Sequence, residues 1–173
     1  MDFNEVVKRR RSVRKFTRED VTRKKVEKIV DIGHAAPSAG NLQARDFILV
    51  RKQETKEKLV ECAYGQSFIA DAPWVVVVCA NKKRSAEKYG KRGRELYAIQ
   101  DATAAVENIL LAVTNEGLAS VWVGAFEDGC VSSVLNIPEK VRPIALLPIG
   151  HPGAESAEPS KIRTEDLIHE EEW

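Results

Sequence analysis

The chain has 173 residues, of which 43% are hydrophobic, 31% charged and 6% aromatic, and its net charge is +1. That length predicts one domain with a real core. Near-neutral charge, few aromatics and no reader signature argue against a nucleic-acid-binding module, and no run approaches the roughly 18 apolar residues of a membrane span.

In chain order, Phe3, Val6 and Val7 mark the apolar stripe of a first helix. Val26, Ile29, Val30 and Gly33 mark a second, capped by Thr22 and stopped by Pro37. Asp46–Val50 and Trp74–Ala80 read as strands, the second apolar throughout and so expected to be covered on both faces. Between them Glu54–Ala63 reads as an amphipathic surface helix. Lys82–Glu95 holds seven basic and two acidic residues and two glycines, which predicts a mobile surface loop or frayed helix that could serve as a lid.

The longest helical signal is Tyr97–Glu116, with Ile99, Ala102, Val106, Ile109, Leu110 and Val113 on one face. Gly117 followed by Leu118 predicts a Schellman ending. Ala102, Ala104 and Ala105 keep this helix slim enough for close approach by another element. Ser120–Gly124 and Ile144–Ile149 supply two more strands, with Trp122 and Phe126 assigned to the core. Strands separated by enough helices to cover the sheet give an α/β or α+β class. Cys62, Cys79 and Cys130 are odd in number, far apart and without CxxC or a neighbouring His. Neither a disulfide framework nor a zinc site is expected from them, and a soluble protein of a reducing cytoplasm is.

Residues 1–28 hold 11 Lys or Arg against 5 Asp or Glu, whereas residues 154–173 hold 2 against 7. The acidic tail is therefore expected across basic surface of its own or a partner chain. Within the basic end, Arg10–Phe16 (RRSVRKF) sets Arg10, Arg11 and Arg14 around Ser12. Guanidinium forks beside a hydroxyl suit a phosphate ester. Lys8, Arg9 and Lys15 extend the run, so a solvated basic arm is the competing reading. No GxGxxG follows a predicted strand and no P-loop motif exists, which leaves side chains to hold any nucleotide phosphate. Lys161 and Arg163 form a second basic pair. The histidines lack HExxH spacing and no GxSxG turn occurs, so hydrolase and metal-enzyme readings lose support.

In order, RRSVRKF, Pro37–Gln43 (PSAGNLQ), Val121–Phe126 (VWVGAF) and Gly150–Gly153 (GHPG) ahead of Lys161 and Arg163 resemble the flavin-dependent nitroreductase family, from about Val7 to Arg163. The resemblance implies an α+β nitroreductase fold, a central mixed sheet of about four to five strands covered by helices, in a domain-swapped homodimer. Residues 1–173 would form one FMN-binding domain, with 154–173 lying over the partner subunit. It implies tightly bound FMN, its phosphate held by Arg10, Arg11, Ser12, Lys161 and Arg163. Pro37, Ser38, Ala39 and Asn41 of the second protomer would meet the ring, Gln66 its pyrimidine edge, and the backbone of Gly124 and Ala125 its N5. Arg14 would offset charge on the reduced ring.

No metal and no side-chain acid or base is expected. NADH or NADPH would pass hydride to the flavin and leave, and a small electron-poor acceptor such as a nitroaromatic or quinone would take its place. Deiodinases and a flavin-fragmenting enzyme of the same superfamily are the alternative, and a basic nucleic-acid-binding module the remote one.

Overall fold

In the computed structural model, which describes all 173 residues, the chain runs α1 (Phe3–Arg9), α2 (Arg23–His34), β1 (Arg45–Val50), α3 (Gln53–Cys62), α4 (Phe68–Asp71) and β2 (Trp74–Asn81). It continues through α5 (Lys82–Arg92), α6 (Ala98–Asn115), β3 (Ala119–Ser120), α7 (Asp128–Leu135) and β4 (Val141–Gly150). The four strands stand in the order β1-β2-β4-β3 and every pair is antiparallel. The α+β class holds, but the mixed sheet is corrected: the one parallel contact is an isolated bridge between Ser12 and Ser120.

The β2 run divides its side chains by the strand's two-residue period. Trp74, Val76, Val78 and Ala80 enter a core shared with α2 and α6, while Val75, Val77 and Cys79 enter another shared with α3 and α7. Register follows, with Val76 opposite both Leu49 and Leu147. On the first face α6 buries Ala102, Ala105, Val106, Ile109 and Val113. A Cβ at Gly33 would lie 2.5 Å from Ile109 Cγ1 and 3.2 Å from the Ala105 carbonyl, so α2 reaches the alanine face of α6 only because position 33 has no side chain.

An 18-residue window in the helical run Lys82–Asn115 reaches a mean hydropathy of 1.2, contrary to the expectation that no segment approaches a membrane span. Its composition is that of a helix packed on the sheet, with Ala98, Ala102, Val106 and Ile109 fully buried. The helix ends as expected: Gly117 adopts φ 71°, its N–H donates to Thr114 O, and the Leu118 N–H donates to Val113 O at 3.0 Å. Thr22 caps α2, its hydroxyl accepting from the Lys25 amide.

Three local readings are corrected. The basic segment Lys82–Glu95 is not a free loop: α5 reverses at Gly90 (φ 54°) and packs back on the π turn Gly93–Tyr97 that leads into α6. After β3, residues 121–126 make only a bridge from Val123 to Leu146. Because Val121 and Val123 point into the core, the alternation turns Trp122 outward, 36% exposed, while Phe126 is buried as expected.

Cys62 and Cys130 form a disulfide with Cα atoms 5.4 Å apart, which overturns the expectation of three unpaired thiols. The two are 68 residues apart in sequence and meet because α3 and α7 are neighbours. The cysteine count therefore carries no weight for a reducing compartment. Cys79 is the free thiol, buried in β2, and burial pushes it up to about 12. Titration with a thiol reagent should count no thiol in the native protein, one after denaturation, and three after denaturation with reduction. A thiol reacting in the native, unreduced protein would contradict the pairing. Closing a loop of this length is worth about 4 kcal/mol by chain entropy, to be read as a lower urea midpoint on reduction.

Candidate functional site

The basic motif leaves α1 as an extended segment laid along the end of the sheet. The Val13 N–H donates to Ser120 O at 3.0 Å, the Thr17 N–H to His151 O at 3.0 Å, and the Gly153 N–H to Lys15 O at 2.7 Å. Gly150–Gly153 is thereby brought beside RRSVRKF. A Cβ on Gly153 would stand 3.0 Å from the Phe16 carbonyl carbon and 3.2 Å from that of Lys15, a backbone-to-backbone approach that explains the glycine. Together these segments border an open groove of about 1000 Å³, lined by Lys8, Arg9, Arg11, Val13, Pro152 and Gly153 and closed off by the tail residues Glu155 and Glu158.

The arginines of the motif divide: Arg11 lines this groove, and Arg10 and Arg14 do not. Arg11 donates to the carbonyls of Lys8 and Arg10 and pairs with Glu158 at 3.1 Å. The side chains of Lys8, Arg10, Arg14 and Lys15 make no hydrogen bond or ion pair in the chain, and the Ser12 hydroxyl is exposed. Arg163 pairs with Glu165 and Asp166, and neither it nor Lys161 lines the groove. The structure thus lays RRSVRKF alongside Gly150–Gly153 through its backbone, puts Arg11 but not Arg10, Ser12 or Arg14 in the groove lining, and leaves Lys161 and Arg163 on the exposed tail.

The Pro37–Gln43 loop lies elsewhere. Ser38 Oγ accepts from the Gln43 amide at 2.9 Å, and Gln43 Nε2 donates to Asn41 Oδ1 at 3.0 Å. The Ala39 amide donates to Asp101 Oδ1 at 2.9 Å. Gly40 sits under α5, where an added Cβ would meet the Tyr89 hydroxyl at 2.5 Å and Lys88 Nζ at 2.8 Å. Buried Arg45 ties down the chain before the loop by donating to the carbonyls of His34, Ala36 and Pro37. Burial lowers the pKa of this guanidinium, and the charge of Asp101 opposes the shift. Sequence reading missed both groups, since a charged residue at a strand start or in a helix's first turn looks like surface.

Gly124 and Ala125 form a third cluster. Gln66 Nε2 donates to Ala125 O at 3.0 Å and to Ala63 O, so two expected site residues meet directly. The Tyr64 hydroxyl donates to Glu127 Oε1 at 2.5 Å, and this bond raises the pKa of the phenol. The Glu127 amide donates to Cys62 O. With the disulfide these bonds fasten residues 124–130 to residues 62–66. The amides of Gly124 and Ala125 find no acceptor in the chain, leaving two N–H donors free. Gly124 also borders a cleft of about 200 Å³ with Trp122, Ile99 and Thr103.

The first two clusters sit at opposite ends of α6. Thr114 borders the arginine groove and Asp101 holds the loop. Asp101 and Thr114 are thirteen steps apart along the helix, about 20 Å at 1.5 Å per residue.

A model of the nitroreductase family matches residues 7–66 and 60–151. The chain is 35% identical over 177 residues to a Methanothermobacter thermautotrophicus protein provisionally named NADH dehydrogenase/NAD(P)H nitroreductase, covering 100% of this chain and 88% of that protein. It is 29% identical over 190 residues to the NAD(P)H FMN reductase of Bacillus subtilis, covering 99% of this chain and 75% of the relative. Among solved structures it resembles NfrA2 of B. megaterium, with TM-score 0.91, 28% identity and coverage of 98% and 74%. It also resembles the NADPH:FMN oxidoreductase of Vibrio harveyi complexed with NAD+, with TM-score 0.90, 25% identity and coverage of 98% and 77%. The chain belongs to the nitroreductase family.

The groove depends on how closely residues 12–17 approach Gly153. Gly153→Ala is expected to force the two backbones apart and lower stability by about 1–3 kcal/mol, measured by urea denaturation. An unchanged midpoint would show that this wall of the groove yields freely.

Proposed function

We propose that the protein is an FMN-dependent NAD(P)H oxidoreductase that reduces small electron-poor acceptors, with nitroaromatics and quinones as the substrate class. The observation that carries this reading is a set of donors without acceptors: the guanidinium groups of Arg10 and Arg14, the Ser12 hydroxyl beside them, and the amides of Gly124 and Ala125. That set fits FMN. Unpaired cations beside a hydroxyl suit a phosphate monoester, and free main-chain N–H groups suit a ring that gains electron density on reduction. Bound FMN supplies the hydride chemistry itself. The family and the relatives named as FMN reductases support the same reading.

The residues divide the work. Arg10, Arg11, Ser12 and Arg14 hold the phosphate end and its charge, and Gly124 and Ala125 orient the ring through the backbone. Gln66 fixes Ala125 by its bond to the Ala125 carbonyl. Pro37, Ser38, Ala39 and Asn41 complete the site from a second protomer, and Lys161 and Arg163 reach a phosphate from the tail. The separation of arginine groove and loop along α6 supports a site shared between two copies. Exposed apolar residues also support a homodimer in which the tail crosses the partner: Phe3 of α1 is 71% exposed, and Ile162, Leu167, Ile168 and Trp173 stand free.

The test is a visible spectrum of the purified protein, before and after anaerobic addition of NADH or NADPH. A flavin band that bleaches is the expected result; no band even after incubation with FMN would overturn the proposal. In the variant Arg10→Ala with Arg14→Ala, flavin retention is expected to fall by at least tenfold, since two charge-assisted contacts are lost. Full flavin content after gel filtration would remove these arginines from the site.

A further inference from the structure

The Pro37–Gln43 loop is held in a backbone that its sequence does not favour. Gly40, Asn41 and Gln43 have φ of 57°, 56° and 49°. Glycine and asparagine visit this left-handed region readily; glutamine, with its Cβ, does so at a steric cost. Such a backbone persists only where the surroundings over-determine it, and such segments cluster at ligand contacts.

Several groups hold it: Ser38 Oγ accepts from the Gln43 amide, Arg84 donates to the Gln43 carbonyl, and one carboxylate grips both flanks. Asp101, in the first turn of α6, is 4% exposed. Its Oδ1 accepts from the Ala39 amide at 2.9 Å and its Oδ2 from the Ala44 amide at 3.3 Å. Ala39 lies before the left-handed residues and Ala44 after them, so the two oxygens grip the loop on both flanks. A buried carboxylate needs donors, and here it takes them from the main chain: no side-chain cation lies within ion-pair distance. The loop and α6 are therefore fixed to each other. Arg45, 3% exposed, donates to the carbonyl of Asp101 and to those of Pro37 and His34, locking the same junction from the α2 side.

We infer that Asp101 is a positioning residue for the cofactor-facing loop: it touches no reactant, and through the amides of Ala39 and Ala44 it sets the geometry in which Ser38 and Asn41 are presented. This rests on the flavin reading above, which places that loop against the ring.

The test is Asp101→Asn in the full-length protein. Asparagine keeps the volume and one acceptor but turns an NH₂ toward an amide N–H, so one of the two grips becomes donor against donor. Two readouts separate the parts of the inference. Hydrogen exchange of the Ala39 and Ala44 amides, measured without flavin, is expected to accelerate at least tenfold relative to amides in β2. FMN affinity, by flavin fluorescence titration, is expected to weaken about tenfold, with a changed visible circular dichroism of the residual bound flavin.

Unchanged exchange would overturn the grip. Faster exchange with unchanged affinity and dichroism would leave Asp101 merely structural and overturn the positioning role. Wild-type protein that takes up no FMN would instead sink the flavin reading and the presentation of Ser38 and Asn41 with it, while the exchange result still decides the grip. Should Asp101→Asn fail to fold, Asp101→Glu keeps the charge, displaces the carboxylate by one methylene, and is read by the same measurements.

Discussion

Burying Trp74–Ala80 on both faces is the constraint from which the other elements take their places. A strand with an apolar side chain at every position needs a helical layer on each side. Helices α2 and α6 supply one layer, α3 and α7 the other. For α6 to lie flat on the sheet and still be crossed by α2, one contact must have no bulk, and Gly33 against Ala105 and Ile109 meets that need. Once α6 is fixed, the loops at its ends are fixed too. Asp101 anchors Pro37–Gln43 at one end, and the Schellman turn at Gly117–Leu118 delivers the chain to Ser120 at the other.

Ser120 then sets the arginine segment, because the Val13 amide donates to its carbonyl. The same helix that holds the sheet together therefore keeps two groups of chemically suited residues apart by most of its length. The loop and the groove therefore do not face each other across a short gap within one copy. They come together when a second copy offers its loop to the first copy's groove, which is the arrangement proposed above. The exposed apolar residues of α1 and the tail fit that arrangement, since Phe3 and Val7 lie one turn apart on a face that nothing in the chain covers.

What could be read from the sequence was what depends on core periodicity. Strand β2, helix α6 and the Thr22 cap express local rules whose signals lie within a few residues. Trp122 was misassigned because residue type was weighed above alternation: its neighbours Val121 and Val123 claim the core, and a two-residue period leaves it outside. Lys82–Glu95 could be read only as a loop or a frayed helix, because the packing of α5 uses Ser85 and Gly93 rather than an apolar stripe. The Cys62–Cys130 bond had no local signal, since the contact is made by the adjacency of α3 and α7 across 68 residues. Arg45 and Asp101 were invisible for a related reason: a buried charge and a solvated one have the same letter, and only the carbonyls and amides around them tell which is which.

The acidic tail adds a question of competition. Glu158 already pairs with Arg11, as the opposite charges of the two ends foretold, but its side chain is 68% exposed. An ion pair in that setting is worth about 0–1 kcal/mol. A phosphate seated among Arg10, Arg11, Arg14 and the Ser12 hydroxyl would make several charge-assisted bonds, each about twice the strength of a neutral one. The Arg11–Glu158 pair is thus too weak to exclude such a ligand. Glu158 lowers the mutual repulsion of the cations clustered around Arg11, at an energy that a phosphate bound as proposed above would exceed.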